Sequence, residues 1–409
     1  MLVDGGYKKD NIAGVLESQF PDVSYLDVVV CTHGDSDHVG GLPDLFNTWG
    51  RRVGQLWLPG RWVDIVPRLV RHPAEFFKQL ICELDVELRE PSDDVTSIIS
   101  DADNKEIQWD ELEDPDNSPD DDGFKPMDGG IDSFDLPLDT DDIKQEPKWF
   151  IDIRLSEKDL ASAKEASSAY ESARCKVKYR LKRNTSETQI RIAHYWLGLI
   201  ETAEAIRKVA IAAIDQKIPT RWFDFEGFRN TRHAKGGISS FLIPVNAVEQ
   251  ATPATSLALF MHLTQINRES LIFLAPPAER RLGVLFCADS PLGDGQNFST
   301  SFLRQLPFPN YIFPIVATAP HHGSESNNAA YGYLRNWASV AVLLRAGGSK
   351  KQPGATFLSQ HNCLRLCTKC PKAGHAPLLS GVFLSRSYSH PYPPGLSSHL
   401  VAFGRRCVC

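Results

Sequence analysis

Short apolar runs separated by glycine and proline dominate two parts of the chain, residues 1–90 and 217–350. In the first part, the run Leu26 to Cys31 (LDVVVC) is nearly continuous, which is typical of a strand buried on both faces. A polar loop follows this run, and residues 42–49 then predict a short helix. This alternation predicts strand–helix units and therefore an α/β fold.

Five further strands are predicted in the second part, where short apolar runs alternate with turn residues. In chain order the runs are TRWFDF, SSFLIPV, SLIFLAP, RLGVLFCAD and YIFPIVATAP. The chain has no internal repeat of fixed period, which argues against solenoid and propeller folds.

An acidic segment, residues 91–148, separates these two parts and is rich in Pro and Gly. Residues 101–122 alone hold eleven carboxylates and one lysine, so the rest of the chain is close to neutral although the net charge is −7. The segment predicts a solvated, disordered insertion. Overall charge therefore does not select a class of substrate.

A helical segment, residues 149–216, follows the acidic one. Ser156 with Asp159, and Ser186 with Gln189, each form a capping-box pattern ahead of a long helix. We expect a pair of helices inserted between the two strand-rich parts.

Composition excludes several classes of protein. No apolar run approaches the roughly 20 residues that cross a bilayer, and the first ten residues lack the pattern of a secretory signal. Nine cysteines in 409 residues are too few for a disulfide scaffold. We expect a soluble cytoplasmic protein without a membrane partner, and the sequence leaves its oligomeric state open.

The loop after the first buried strand carries the strongest chemical signal, because His33, Asp35, Asp37 and His38 fall within six positions. Neighbouring carboxylates that face one point repel each other unless a cation neutralises them. Imidazole and carboxylate ligands suit zinc, and also manganese or iron. A polar loop in which Asp37 caps the next helix is the alternative, and the density of ligands favours the metal site.

Two later strands end in residues of the same kind. Asp289 ends the run RLGVLFCAD, and the pair His321 and His322 follows YIFPIVATAP. Ligands gather at the carboxyl ends of strands in open α/β sheets, so we expect these residues to meet the first loop.

Taken together, the DGG at residues 4–6, the H-x-D-x-D-H loop, the strand ending in Asp and the final HHGS resemble the metallo-β-lactamase superfamily. The usual loop reads H-x-H-x-D-H, and here Asp35 replaces the second histidine. That replacement, HHGS and the phrase NRESLIFL (residues 267–274) resemble the hydrolase domain of the competence DNA-uptake protein ComEC and its soluble relatives. The resemblance implies an αββα sandwich, in which two mixed β-sheets are flanked by helices.

The resemblance also implies a site for one or two Zn²⁺ ions, with a pair of ligands for the first metal and another for the second: His33 and Asp35, then Asp37 and His38. Asp289 would bridge the metals, and one of two adjacent histidines would complete the second site. We expect His321 rather than His322, because it stands closer to its strand. Asp4 would be a structural carboxylate beside the site.

The implied function is hydrolysis of an ester-type bond by a metal-activated water, with Asp37 and His38 as catalytic residues. The substrate would be a small molecule or a phosphodiester, and a phosphodiesterase or nuclease acting on nucleic acid is one form of this hypothesis. Arginines after the metal loop could line a phosphate-binding rim or simply form a solvated helix face: Arg51, Arg52, Arg61, Arg68 and Arg71.

The chain departs from the family pattern at one expected ligand. Where the family has a further histidine, this sequence has Ile243, with His233 and His262 as nearby substitutes. The first metal site would then be incomplete, and a catalytically degenerate binding or regulatory module is the alternative function. The chain also opens at the DGG strand without the usual β-hairpin, so we expect a truncated gene model or a sheet that lacks an edge strand.

The last segment, residues 351–409, is rich in cysteine. Cys363, Cys367, Cys370 and His375 have spacings that could hold a structural zinc. Unliganded thiols are the competing interpretation.

Overall fold

The computed structural model describes residues 1–96, 99, 160–183, 186–250, 269–277, 283–306, 315–348, 352–368, 381–389, 395–403 and 405–406. In chain order the strands are β1 Leu2–Val3, β2 Leu26–Val30, β3 Val53–Pro59, β4 Thr220–Asp224, β5 Ile243–Pro244, β6 Val248–Glu249, β7 Phe273–Ala275, β8 Gly283–Phe286, β9 Ile315–Thr318, β10 Val340–Arg345, β11 Leu364–Cys367, β12 Gly381–Ser389, β13 Gly395–Phe403 and β14 Arg405–Arg406. The α-helices are α1 Ile12–Gln19, α2 Ser36–Val39, α3 Leu42–Trp49, α4 Trp62–Arg71, α5 Pro73–Glu87, α6 Ala163–Arg183, α7 Glu187–Asp215, α8 Phe225–Thr231, α9 Asn328–Trp337 and α10 Ala355–Leu358.

The first sheet has the strand order β1-β2-β3-β4-β6. Its first four strands run parallel, and β6 pairs antiparallel with β4. The second sheet has the order β14-β11-β10-β9-β8-β7-β5, with parallel pairing from β8 to β11 and antiparallel pairing at both ends. β12 and β13 pair antiparallel as a separate hairpin. Both large sheets are therefore mixed, as expected.

The two sheets face each other across an apolar layer. Val28, Val30 and Trp57 of the first sheet and Phe273 of the second belong to one buried cluster. The Trp57 ring lies 5.4 Å from that of Phe273, centroid to centroid. Val29, between the two valines of β2, belongs instead to the cluster under the helices. β2 is thus buried on both faces, which confirms the interpretation of its continuous apolar run.

Helices cover the outer face of each sheet. α3, α4, α5 and α7 share one apolar cluster with the first sheet, and the indole Nε1 of Trp196 in α7 donates to the carbonyl of Leu80 in α5 at 2.9 Å. On the second sheet, Tyr331 and Trp337 of α9 and Phe357 of α10 pack with the side chains of β8 and β9. The order helix, sheet, sheet, helix confirms the expected α/β sandwich.

The helical segment belongs to the outer layer on the first sheet. Ser186 does precede α7, but its side chain makes no capping bond, and the side chain of Gln189 donates to the carbonyl of Leu88 at 3.0 Å instead. The capping box predicted there is therefore wrong, because Gln189 is drawn into a tertiary contact. Ser156, Asp159 and residues 101–148 lie outside the described residues, so the predictions made for them stay predictions.

The strands predicted in the second part are present but short. SSFLIPV contributes Ile243–Pro244, SLIFLAP contributes Phe273–Ala275, and RLGVLFCAD contributes Gly283–Phe286. No helix among the described residues is long and apolar enough to cross a membrane.

Candidate metal centre

Three chain segments meet at one edge of the sandwich. The loop with His33 and His38 follows β2 in the first sheet, Asp289 follows β8 in the second, and the pair His321–His322 follows β9. β8 and β9 are parallel neighbours, so the residues after them emerge side by side. The expected convergence at the carboxyl ends of the strands is thus present.

Asp289 lies at the middle of this convergence and is almost completely buried. Its Oδ1 is 3.3 Å from Nε2 of His38 and 3.7 Å from Nε2 of His322. Its Oδ2 is 3.6 Å from Nε2 of His33 and 3.7 Å from Nε2 of His321. Each carboxylate oxygen therefore faces two imidazole nitrogens, at distances too long for good hydrogen bonds.

The two other aspartates flank this arrangement on opposite sides. Asp35 Oδ2 lies 3.6 Å from Nε2 of His33. Asp37 Oδ2 lies 2.8 Å from Nε2 of His322 and 3.8 Å from Nε2 of His38. Asp35 thus stands with His33, and Asp37 stands with His38 and His322.

Asp4 fixes the orientation of the first two histidines. Its Oδ2 is 2.7 Å from Nδ1 of His38, and its carboxylate accepts bonds from the backbone N–H and the hydroxyl of Thr32. Because the single hydroxyl hydrogen of Thr32 is directed to Asp4, its oxygen accepts from Nδ1 of His33 at 2.9 Å. Both histidines therefore carry the proton on Nδ1 and leave Nε2 free to act as a ligand. Asp4 takes the structural position that we expected for it.

The second pair of histidines follows β9 and contacts residues after both β9 and β10. Nδ1 of His322 lies 2.6 Å from the carbonyl of Ala346, which can only accept, so this nitrogen carries the proton. Nδ1 of His321 lies 3.3 Å from the hydroxyl of Ser326. Both residues have positive φ, 46° for His321 and 52° for His322, and this left-handed backbone turns both rings towards Asp289. Such strain costs about 1–3 kcal/mol per residue and concentrates at functional sites.

Several of the converging atoms are buried and unsatisfied. Within the described part of the chain, Nε2 of His33, Nε2 of His38 and Oδ1 of Asp289 have no hydrogen-bond partner. Buried polar atoms without partners cost about 1–3 kcal/mol each. Two groups of these residues have ligand atoms close enough to share an ion: His33 with His38 and Asp289, and Asp37 with His38 and His322. The donor set of imidazoles and carboxylates therefore fits divalent cations.

The electrostatics of the centre also require positive charge. Burial and the neighbouring His38 oppose protonation of His33, but the adjacent carboxylates of Asp289 and Asp35 outweigh them and raise its pKa to about 9. Burial likewise favours the neutral form of Asp37, but His322 and His38 lower its pKa to about 2. The carboxylates of Asp37 and Asp289 are thus stabilised in their charged form by the imidazoles beside them. Divalent cations would supply the same stabilisation.

We expected His321 to complete the second metal site, but the geometry groups the other adjacent histidine with the ligands of that site. His322, rather than His321, groups with Asp37 and His38. His321 faces the other oxygen of Asp289, on the side of His33. Sequence position along the strand did not reveal this, because it depends on the left-handed backbone of both residues.

The other proposed ligands lie apart from the centre or are not described. His233 is exposed, and among the described residues it belongs to no group that could hold a metal. Ile243 pairs with Leu274 in the second sheet. His262 lies outside the described residues.

Three of the five arginines after the metal loop have contacts of their own. Arg52 lies 3.5 Å from Glu17 and stacks over Trp49, and Arg68 donates to Gln79. Arg61 lines a pocket beside His33. Nothing in these contacts tests the phosphate-binding rim, which stays a prediction.

The sequence analysis did not identify two residues that support the candidate ligands. Thr32 carries no chemical signal except its place directly before His33. Arg345, at the end of β10, is fully buried and donates through Nε to the carbonyl of His322 at 2.7 Å. A charged residue at the end of an apolar strand was the available signal for it.

The cysteine cluster is only half described. Cys367 is buried, and its sulfur accepts from Nη1 of Arg345 at 3.0 Å, whereas Cys363 is partly exposed. Cys370 and His375 lie outside the described residues, so the structural zinc stays a prediction.

Comparison with known families agrees with this centre. Residues 1–55 match the model of the metallo-beta-lactamase superfamily, and this stretch contains Asp4 and the whole H-x-D-x-D-H loop. No curated protein and no solved structure gives a significant match to the chain. The match and the fold support the superfamily, and the ComEC-like subgroup is a finer assignment that stays a prediction.

Proposed function

We propose that this protein is a metal-dependent hydrolase with two adjacent divalent-cation sites bridged by Asp289. One observation carries the proposal: four imidazole Nε2 atoms surround the two oxygens of a single buried aspartate, 3.3–3.7 Å away. Nε2 of His33, Nε2 of His38 and Oδ1 of Asp289 have no hydrogen-bond partner among the described residues, and two cations would satisfy these atoms.

The ligands divide into two sets that share the bridging carboxylate. His33, Asp35 and His321 would hold one cation with Oδ2 of Asp289. His38, Asp37 and His322 would hold the other with Oδ1. In this assignment His321 takes the part of the family histidine that Ile243 replaces, so the first site is complete.

When bound, divalent cations would lower the pKa of a coordinated water towards neutrality and polarise the bond to be cleaved. The chain's own residues supply the remaining functions. Asp4 fixes the tautomers of His33 and His38 through Thr32 and a direct bond. Asp37, which is partly exposed at the centre, would orient the attacking water and accept its proton.

We propose an ester-type bond as the target, with phosphodiesters as the first class to examine. Pairs of cations recur in phosphatases and nucleases because they neutralise both the attacking and the leaving oxygen of a phosphoryl group.

A chromogenic phosphodiester and a chromogenic carboxylic ester test this function. Wild type should hydrolyse at least one of them, lose the activity on treatment with a chelator, and regain it with Zn²⁺ or Mn²⁺. Asp289→Asn keeps the shape of the side chain but removes the bridging charge, and should lower kcat by at least about a hundredfold. Asp294→Asn is the matched control, because Asp294 pairs with Arg232 instead of the histidines.

A catalytically degenerate binding module is the alternative. Such a module has no physical need for buried imidazole nitrogens without partners. Equal activity in wild type and Asp289→Asn, or none in wild type with either metal, would favour this alternative.

A further inference from the structure

A small pocket opens beside the metal loop, on the side of His33 and Gly34. Its volume is about 40 Å³, which leaves room for about three water-sized groups. Most of its wall is apolar and comes from side chains that include Trp62, Ile206 and Phe223. The pocket can therefore take one small group of a molecule that is bound at the metal centre.

One carboxylate lines this apolar pocket. Glu269 is 7% exposed, and its Oε2 lies 2.5 Å from Nε of Arg61. Its Oε1 is buried and has no hydrogen-bond partner among the described residues. A buried acceptor of this kind costs free energy unless a donor reaches it.

The charges around Glu269 favour a donor that is itself positive. Arg61 lies between two carboxylates, since its Nη2 is also 3.7 Å from Oε2 of Glu226. Asp224 and Arg229 act on Glu269 from further away. These three carboxylates and two guanidinium groups leave this end of the pocket formally negative.

The inserted helix α7 supplies one wall of the pocket. Thr202 and Ile206 line it, and Cγ2 of Thr202 would lie only 2.7 Å from a Cβ placed on Gly34. The insertion therefore sets the width of the pocket directly against the metal loop.

We propose that this pocket is a subsite for a primary ammonium group of the substrate, and that the unpaired oxygen of Glu269 is its specificity-determining acceptor. An N–H donor would satisfy Oε1, and its aliphatic neighbour atoms would contact Trp62 and Ile206. The assignment to a substrate rests on the proposed hydrolase function, because the pocket adjoins His33. The substrate class becomes an ester or phosphodiester that carries a primary amine close to the bond to be cleaved.

Thermal unfolding of the full chain tests the subsite without any assay of hydrolysis. The probe is methylammonium chloride, and tetramethylammonium chloride at equal concentration is the reference, because that cation has no N–H donor and is too large. A ligand that binds the native state raises Tm. Wild type should therefore show a higher Tm in methylammonium than in tetramethylammonium.

Three variants test whether Glu269 and the pocket cause this difference in Tm. Glu269→Gln should lose most of this difference in Tm, since Gln keeps the shape but lacks the charge. Ile206→Phe, which narrows the pocket while leaving Glu269 in place, should lose it as well. Glu17→Gln is the control, because Glu17 pairs with Arg52 and neither residue lines the pocket. It should respond as wild type does.

The Tm measurements test the subsite separately from the proposed hydrolase function. An equal response of wild type to the two salts, or an undiminished response in Glu269→Gln, would overturn the subsite. Loss of the response in Glu17→Gln would also overturn it, because general attraction of cations would then explain the effect. Failure of metal-dependent hydrolysis would instead refute the proposed function and leave the binding result standing.

Discussion

Asp4 and His38 follow the carboxyl ends of two parallel neighbouring strands, β1 and β2, and lie 2.7 Å apart, Oδ2 to Nδ1. The same carboxylate accepts a hydrogen bond from the hydroxyl of Thr32, and the oxygen of that hydroxyl accepts a hydrogen bond from Nδ1 of His33. One aspartate that is not a ligand thus sets the tautomer of two candidate ligands. Carboxylates behind metal-binding histidines have this effect in many metal sites.

Asp4→Asn should weaken metal binding more than it weakens the fold. An amide can donate to His38, which would favour the wrong tautomer, so we expect a loss of about 10–100-fold in metal affinity. Competition with a chromogenic chelator measures this affinity. Asp22→Asn, at an exposed turn, is the control. An unchanged affinity in Asp4→Asn would contradict the positioning role.

Gly34→Ala should destabilise the protein because the new methyl group meets Cγ2 of Thr202 at 2.7 Å. We expect a loss of about 1–3 kcal/mol in the free energy of unfolding, as for other overpacked sites. Thr202→Ser removes Cγ2, so the double variant should recover much of the loss. Denaturant unfolding of wild type, the two single variants and the double variant gives the coupling free energy between positions 34 and 202. Additive effects would mean that α7 does not press against the metal loop.

Glu269 should give the protein a characteristic dependence of stability on pH. Burial raises its pKa from 4.5 to about 7 despite Arg61. The native state therefore holds this proton more tightly than the unfolded chain does, and stability falls as pH rises from about 4.5 to 7. Glu269→Gln should remove this loss and be more stable than wild type above pH 7, by roughly 3 kcal/mol.

Unfolding at a series of pH values checks this prediction. The advantage of Glu269→Gln over wild type should grow between about pH 4.5 and 7 and then stay constant. A difference that does not change with pH would show that the carboxyl group is not desolvated.

Arg345→Met should damage both the fold and the loop that carries His322. The guanidinium group donates to the carbonyls of His322 and Gln352 and to the sulfur of Cys367, all of which would lose a partner. We expect a loss of about 3 kcal/mol in the free energy of unfolding. Metal affinity should fall as well, whereas Arg335→Met on the exposed face of α9 should change neither. Full metal affinity in a destabilised Arg345→Met would assign Arg345 to the fold alone.

Local patterns explain why so much of this arrangement could be predicted from the sequence. The continuous apolar run at Leu26–Val30 requires burial on both faces, and the residues after β2, β8 and β9 must emerge at the carboxyl ends of strands. Those two facts predict that the loop with His33 meets Asp289 and the pair His321–His322, without choosing between these two histidines.

The remaining features depend on contacts between distant residues. The choice between His321 and His322 follows from two left-handed residues in succession, which no periodicity encodes. The place of α7 against Gly34, and the bond from Arg345 to His322, join segments that are far apart in the chain. The predicted capping box at Gln189 is wrong because this side chain donates to Leu88, which is far away in the chain.

Elemental analysis of purified protein tests the central claim most directly. The account predicts about two divalent metal ions per chain in wild type, about one or fewer in Asp37→Ala, and about one or fewer in His321→Ala. Cys370→Ser separates a zinc ion held by the cysteine cluster from those at Asp289. Metal that is retained in Asp37→Ala and His321→Ala but lost in Cys370→Ser would contradict the account, because the buried histidines would then bind none.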